Sequence, residues 1–185
     1  MDVYNISDRR ELINYLNLGD RVKYLYFWGH QPKDGSVDKS CFSQWYQSSF
    51  ELDNIKYATA EHYMMAEKAR LFNDSEILAK ILAASHPGEA KKLGRSILGF
   101  DESIWLKHRR AIVVRGNVCK FEQNEALKEF LVNTGDRILV EASPRDKIWG
   151  IGLEQNHPDA ANPNKWRGLN LLGFSLMEVR NILRK

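Results

Sequence analysis

Cysteine is scarce in this sequence. Cys41 and Cys119 are the only two, and they form no C-x-x-C pair. No apolar run approaches the roughly 18 residues of a membrane span, so no membrane partner is expected. The opening Met-Asp-Val-Tyr-Asn-Ile-Ser-Asp-Arg-Arg has no apolar h-region and reads as no secretory signal. Together these point to reduced thiols and a cytoplasmic setting. Charge of one sign is also in short supply. The net of +3 falls short of the footprint of a dedicated nucleic-acid binder, though it favours a phosphorylated substrate. Several chemical motifs are missing as well. There is no G-x-x-x-x-G-K-[ST] loop, and Gly150-x-Gly152 lacks the third glycine of a dinucleotide fingerprint, so it reads as a tight turn. There is no H-E-x-x-H, and the five histidines are scattered, which leaves no metal site to assign. No G-x-S-x-G elbow appears.

What is present is a chain of 185 residues, a comfortable length for one domain over residues 1–185. A globule of this size buries about 70% of its unfolded surface and needs no staple. Asp8 with Glu11 forms a capping-box pattern for a short helix ending before Gly19. Arg21 to Gly29 alternates and is rich in aromatics, which predicts a strand. An Asp53-Asn54 turn between short β-like pieces predicts a hairpin over Phe50 to Tyr57. Helices are predicted after Thr59, after Asn73-Asp74-Ser75, from Pro87, after Asp101, over Asn124 to Val132 and over Leu169 to Leu183. Arg137 to Ala142 predicts a second strand. Strands and helices do not alternate, so the expected class is a helix-dominated α+β fold of about six or seven helices with a small β-sheet.

Four groups of residues and one further tryptophan could carry chemistry. Glu61 stands in the first turn of the helix capped by Thr59, where the helix dipole favours a negative charge. Met64, Met65 and Lys68 follow on the same face, so a carboxylate lies beside apolar groups with a cation beyond. The bland alternative is a dipole-placed carboxylate and a solvated lysine. Asp146 and Trp149 fall in a loop after a strand ending near Glu141, as a second carboxylate and a stacking face, or else as a turn cap and a plug. Phe42-Ser-Gln-Trp45 is either an aromatic and amide pocket wall or an ordinary hydrophobic strand. Lys91, Lys92 and Arg95 could meet a phosphate or form a solvated helix face. Trp105, at helical spacing from Arg109 and Ile112, is a core anchor or a pocket lid.

Taken together, these segments resemble a known family. Phe42-Ser-Gln-Trp45, Thr59-Ala-Glu-His-Tyr-Met-Met-Ala-Glu-Lys68, Leu93-Gly-Arg95, Lys120-Phe-Glu-Gln123, Leu139-Val-Glu141 with Asp146 and Trp149-Gly150, and Gly168-x-Asn170-x-Leu172-Gly173 before Leu176-Met177 occur in the order of the NADAR domain, or YbiA-like, proteins. The resemblance runs over about residues 24–180. It departs at Ile151, where many relatives carry an acidic residue, at Gln44-Trp45, and in a longer stretch from Gln155 to Trp166. The departures bear on the substrate more than on the reaction.

The resemblance implies N-glycosidase activity. The substrate would be a phosphorylated aminopyrimidine riboside of the riboflavin pathway, with ribose 5-phosphate released and a reactive metabolite disposed of. The alternatives are removal of ADP-ribose from guanine in nucleic acid, or non-catalytic binding of NAD- or ADP-ribose-like ligands. The resemblance matches Glu61 to the family's glutamate, Asp146 and Trp149 to its aspartate and tryptophan, and Trp105 to a further tryptophan. Our candidate catalytic residues are therefore Glu61 and Asp146. The candidate substrate-binding residues are Phe42, Trp45, Lys68, Arg95, Trp105, Glu141, Trp149 and Gly150. No metal or organic cofactor is called for, and the sequence leaves oligomeric state open. Of the five tryptophans, Trp45 and Trp149 are expected to stack on a base and at least two of the five to line one cleft with Glu61. Trp28 and Trp166 are expected only to pack.

Overall fold

The computed structural model describes residues 3–184. Among them are seven α-helices and four short strands. In chain order these are α1 (Arg9–Asn17), β1 (Tyr24–Phe27), β2 (Phe50–Leu52), β3 (Ile55–Tyr57), α2 (Ala60–Leu71), α3 (Ser75–Ala83), α4 (Pro87–Gly94), α5 (Glu102–Glu122), α6 (Glu125–Val132), β4 (Ile138–Glu141) and α7 (Leu171–Leu183). The helix-dominated α+β class is as expected. The strands form two separate pairs instead of one small sheet. Contacts divide the chain into a first unit, up to Phe42 and from Ala126 onward, and a second unit, Ser43–Glu125.

In the first unit β1 and β4 run parallel, with Tyr24 opposite Ile138 and Phe27 opposite Glu141. Ile138, Leu139 and Val140 are all fully buried, because this strand is covered on both faces and has no solvent side to make polar. Helix α7 packs on β4, and Gly173 makes that approach possible. A Cβ there would lie 2.1 Å from the Leu139 carbonyl oxygen, so the helix comes down to the strand backbone itself. The strand over Arg21 to Gly29 shortens to Tyr24–Phe27, and the chain leaves it through Gly29 at φ +86°.

Asn170, fully buried and at φ +56°, joins β4 to α7. Its Nδ2 donates to the Leu139 carbonyl and its Oδ1 accepts from the Glu141 N–H, both at 2.9 Å. It therefore has no side chain to spare for capping α7. The first helical N–H groups are satisfied by a loop instead. Leu171 and Leu172 donate to the carbonyls of Ile148 and Trp149 at 3.2 and 3.1 Å.

The second unit is built around α2, which packs against α3, α4 and α5. Residues Ala60 to Ala66 are all buried, so this helix has no polar face to show. Thr59 caps it as expected, with its hydroxyl accepting from the His62 N–H. Asp74 and Asp101 cap α3 and α5 in the same way. Where α2 meets α5, Gly116 leaves room for the Tyr63 ring, since a Cβ there would sit 2.3 Å from it. Asp53 and Asn54, at φ +53° and +61°, turn the hairpin as predicted. The Gln123 side chain holds its outer strand, accepting from the Glu51 N–H at 2.8 Å and donating to the Glu51 carbonyl at 2.7 Å.

Two expectations change here. The Trp105–Arg109–Ile112 stripe is not the core seam of α5. That stripe is only half-buried, and full burial begins at Val113. Trp28, expected to pack, is 59% exposed, because β1 ends one residue before it. Trp166 does pack, at 3% exposure, with its indole N–H donating to the Ala160 carbonyl at 2.7 Å.

Candidate active site

Glu61 is the second residue of α2 and is only 2% exposed. Its N–H, one of the donors a helix start leaves over, goes to the Gln44 carbonyl at 2.9 Å. This ties the helix to the segment Ser43–Gln44–Trp45, which is neither a strand nor a helix. The strand alternative for Phe42-Ser-Gln-Trp45 therefore fails. The same segment is gripped from α5, and this the sequence analysis missed. Asn117 Nδ2 donates to Gln44 Oε1 at 2.8 Å, and Lys120 Nζ donates to the Ser43 carbonyl at 3.0 Å. Asn117 and Lys120 are both 0% exposed. Lys120 stood inside a family segment, and the only available signal was a charge four residues after Gly116 on an otherwise apolar face. A wholly buried lysine is costly unless its ammonium is well engaged, so its presence marks a position under chemical demand.

Trp45, half-buried, meets the start of α4. Its ring lies edge-on to His86 at 5.7 Å, and Lys91 Nζ is 5.9 Å from its centroid. The ring is thus half-buried between its own segment and the start of α4.

Lys68 sits two turns beyond Glu61, half-buried and not solvated. Its ammonium donates to the Gly94 carbonyl at 2.8 Å, 4.2 Å from the Phe100 ring centroid and 5.6 Å from that of Trp105. Burial first, and then the nearby positive charge of Arg95, hold this ammonium below the usual lysine range. Two cations close enough to disfavour each other, one of them exposed, make a place for an anion. Trp105 belongs to this group by its contact with Lys68.

The first unit carries the other candidates. Asp146 Oδ1 accepts from the N–H groups of Ile148 and Trp149 at 2.9 and 2.8 Å, so this carboxylate holds its own turn. The turn is fastened to the run before α7, because Arg167, Leu169 and Asn170 donate to the carbonyls of Ile151, Lys147 and Gly150. Trp149 is half-buried on this braced loop. Glu141 closes β4 with both backbone groups engaged, its N–H by Asn170 and its carbonyl by the Ile151 N–H at 2.9 Å.

Two expected binding residues are corrected. Phe42 is 0% exposed, with its ring between Phe27 and Phe130 at 5.4 and 5.5 Å, so it packs the core of the first unit and presents no wall. Gly150 is buried against the Glu141 carbonyl, 2.8 Å from where a Cβ would sit, and its own carbonyl is taken by Asn170. It closes the turn and does not meet a ligand.

Comparisons with known proteins follow the same lines. The fold matches the NMR structure of the E. coli protein YbiA with a TM-score of 0.68 at 25% identity, over 100% of this chain and 94% of that one. "N-glycosidase R617" of Acanthamoeba polyphaga mimivirus is 43% identical over 163 residues, 85% of this chain and 95% of that protein. "N-glycosidase YbiA" of E. coli K12 is 29% identical over 154 residues, 83% and 86% of the two chains. The maize "Riboflavin biosynthesis protein PYRR, chloroplastic" is 33% identical over 136 residues, 70% of this chain but 20% of that protein. By class the protein is an enzyme acting on N-glycosyl bonds. Residues 26–184 match the NADAR domain, and the chain belongs to that family. Among the described residues, no helix is long and apolar enough to cross a membrane.

Proposed function

We propose that the protein hydrolyses the bond between ribose and an exocyclic amine on a phosphorylated aminopyrimidine of the riboflavin pathway, releasing ribose 5-phosphate. The observation that carries the phosphorylated substrate is the Lys68 ammonium, seated on the Gly94 carbonyl beside two aromatic rings with Arg95 close by. A phosphate there relieves the repulsion between the two cations. It anchors the substrate at a point remote from the bond that breaks.

Cleaving an N-glycoside builds positive charge on the sugar. Glu61, buried at the start of α2, is the group we assign to stabilise that charge and to take the proton from the attacking water. The electron-poor pyrimidine amine leaves with the bonding pair and takes up the proton that Glu61 removed from the water, so that water adds across the broken bond. Trp45 stacks on the base, and Trp105 shields the phosphate. In the first unit, Asp146 has one oxygen committed to its turn and the other for a hydroxyl or water, Trp149 presents a stacking face from the same braced loop, and Glu141 lies at the strand end. The maize relative's name supports the pathway, and reduced thiols at Cys41 and Cys119 go with a cytoplasmic setting.

The test incubates purified protein with the aminopyrimidine ribotide and, separately, with an oligonucleotide carrying ADP-ribosylated guanosine. Ribose 5-phosphate from the first is the expected result. ADP-ribose released only from the second would move the substrate to nucleic acid. Tight binding of ADP-ribose with neither release would make the protein a binding module and overturn the reading.

A further inference from the structure

A second concavity lies in the second unit, and none of its walls belongs to the residues assigned above. It has a volume of about 490 Å³ and is lined by Ser48, Ser49, Lys56, Tyr57, His62 and Leu82 among others. That is within the size range of ordinary small-molecule sites, roughly 300–1,000 Å³.

Three features give the cavity a chemical character. Ser48 is 7% exposed, and its hydroxyl oxygen is buried with no hydrogen-bond partner. A buried polar atom left unsatisfied is costly, and this hydroxyl gains a partner by turning out of the wall toward a ligand oxygen. Lys56 is the one formally charged side chain in the wall and is exposed; Glu51, opposite it in the hairpin, is not part of the wall. The accessible remainder of the wall combines hydrogen-bonding groups such as Ser49 with the apolar surface of Leu82, and Tyr57 is buried behind it. The buried His62 ring backs this wall and is held still, with Nδ1 2.8 Å from the Thr59 hydroxyl and Nε2 3.1 Å from the Ala84 carbonyl. That carbonyl can only accept, so Nε2 carries a proton, and in the neutral ring Nδ1 accepts from the Thr59 hydroxyl.

We infer that this cavity is a second ligand site, separate from the catalytic residues, and that it takes a phosphate monoester of ribose or of a nucleoside. The phosphate pairs with Lys56 and the two serine hydroxyls, and the apolar wall receives the sugar or base. The site also has a route to the reaction, because His62 follows Glu61 directly in the first turn of α2. A ligand against His62 therefore bears on the segment that carries the catalytic carboxylate.

The experiment titrates the full chain with ribose 5-phosphate, with adenosine 5′-monophosphate and with inorganic phosphate. It follows the backbone amide signals of Ser48, Ser49, Lys56 and Ala58. The expected result is saturable shifts of these amides, tightest for the nucleotide and weakest for phosphate alone. The exposed Lys56→Gln change should weaken binding about tenfold, in line with loss of a charge-assisted contact. A Glu61→Gln protein should keep the shifts, which separates this site from the catalytic one. Unmoved amides at millimolar ligand would overturn the proposal, and so would shifts confined to residues around Glu61 and Lys68. Undiminished binding by Lys56→Gln would do the same. None of those outcomes touches the glycosidase reading, which stands or falls on product release.

Discussion

The two units each offer one candidate catalytic carboxylate, and they prepare it differently. Glu61 in the second unit is 2% exposed at the head of a helix whose cap is supplied by Thr59. The capping duty that an acidic residue often performs there is already done by the Thr59 hydroxyl. Asp146 in the first unit is half-exposed, and one of its oxygens accepts from two consecutive backbone amides. Removing the first carboxylate should cost chemistry, while removing the second should cost a turn as well.

The sharpest break of that comparison is Glu61→Gln, which keeps the shape and removes the charge. Turnover should fall by roughly a hundredfold or more, the scale of general-base contributions, with an unchanged circular-dichroism spectrum. Turnover within about threefold of wild type would remove Glu61 from the reaction. Next comes Lys68→Met. It retains an apolar stem beside Phe100 and Trp105 but loses the ammonium. KM for a phosphorylated substrate should rise about tenfold with kcat little changed, as expected when uniform binding is lost. A dephosphorylated substrate should show no difference between the two proteins. Equal losses on both substrates would mean that Lys68 serves the fold and not the phosphate.

Asp146 gives the complementary result. Asp146→Ala removes the acceptor for the Ile148 and Trp149 amides and should lower stability by about 1 kcal/mol, as loss of a capping side chain does. Asp146→Asn still presents an oxygen to both amides and should hold the thermal midpoint close to wild type. If Asp146 also meets water or ribose, Asn should lose activity without losing stability. If Asn matches wild type in both, Asp146 is a turn cap only.

What the sequence revealed follows the range of the forces involved. The caps Asp8, Thr59, Asp74 and Asp101 were readable, because one side chain and a backbone amide two or three residues on decide each of them. The Asp53-Asn54 turn was readable for the same reason. The capping box of α1 was half right, since the Glu11 carboxylate reaches Ser7 and not the Asp8 amide. Lys120 was passed over, because its partner is a carbonyl 77 residues away. Asn170 was quoted only as part of a motif, yet it closes β4 across 29 and 31 residues. Phe42 was misassigned because an aromatic in a family segment looks the same whether it faces a ligand or, as here, Phe27 and Phe130. Local hydrogen bonding leaves a mark in the string, whereas long-range burial does not.

The smallest expected effect concerns His62, the neighbour of Glu61. Burial is the main cause that holds its pKa below the ordinary value of 6.5, only partly opposed by the bond to Ala84. The folded chain therefore resists a proton that the unfolded chain accepts at about 6.5. By linkage, stability contributed by the neutral ring is fully present above that pH. It declines as pH falls from about 7 toward the lowered folded value, and below that value it declines no further. Protonation would also place a second donor at Nδ1, so the Thr59 hydroxyl could no longer donate to it and would have to turn. Because Thr59 caps α2, the change acts at the helix start that carries Glu61. Thermal midpoints of wild type and His62→Gln, measured between pH 7.5 and 5.5, should converge as pH falls, since the variant has no ring to protonate. Curves that run parallel across that range would show that the buried imidazole plays no part in how the second unit responds to acid.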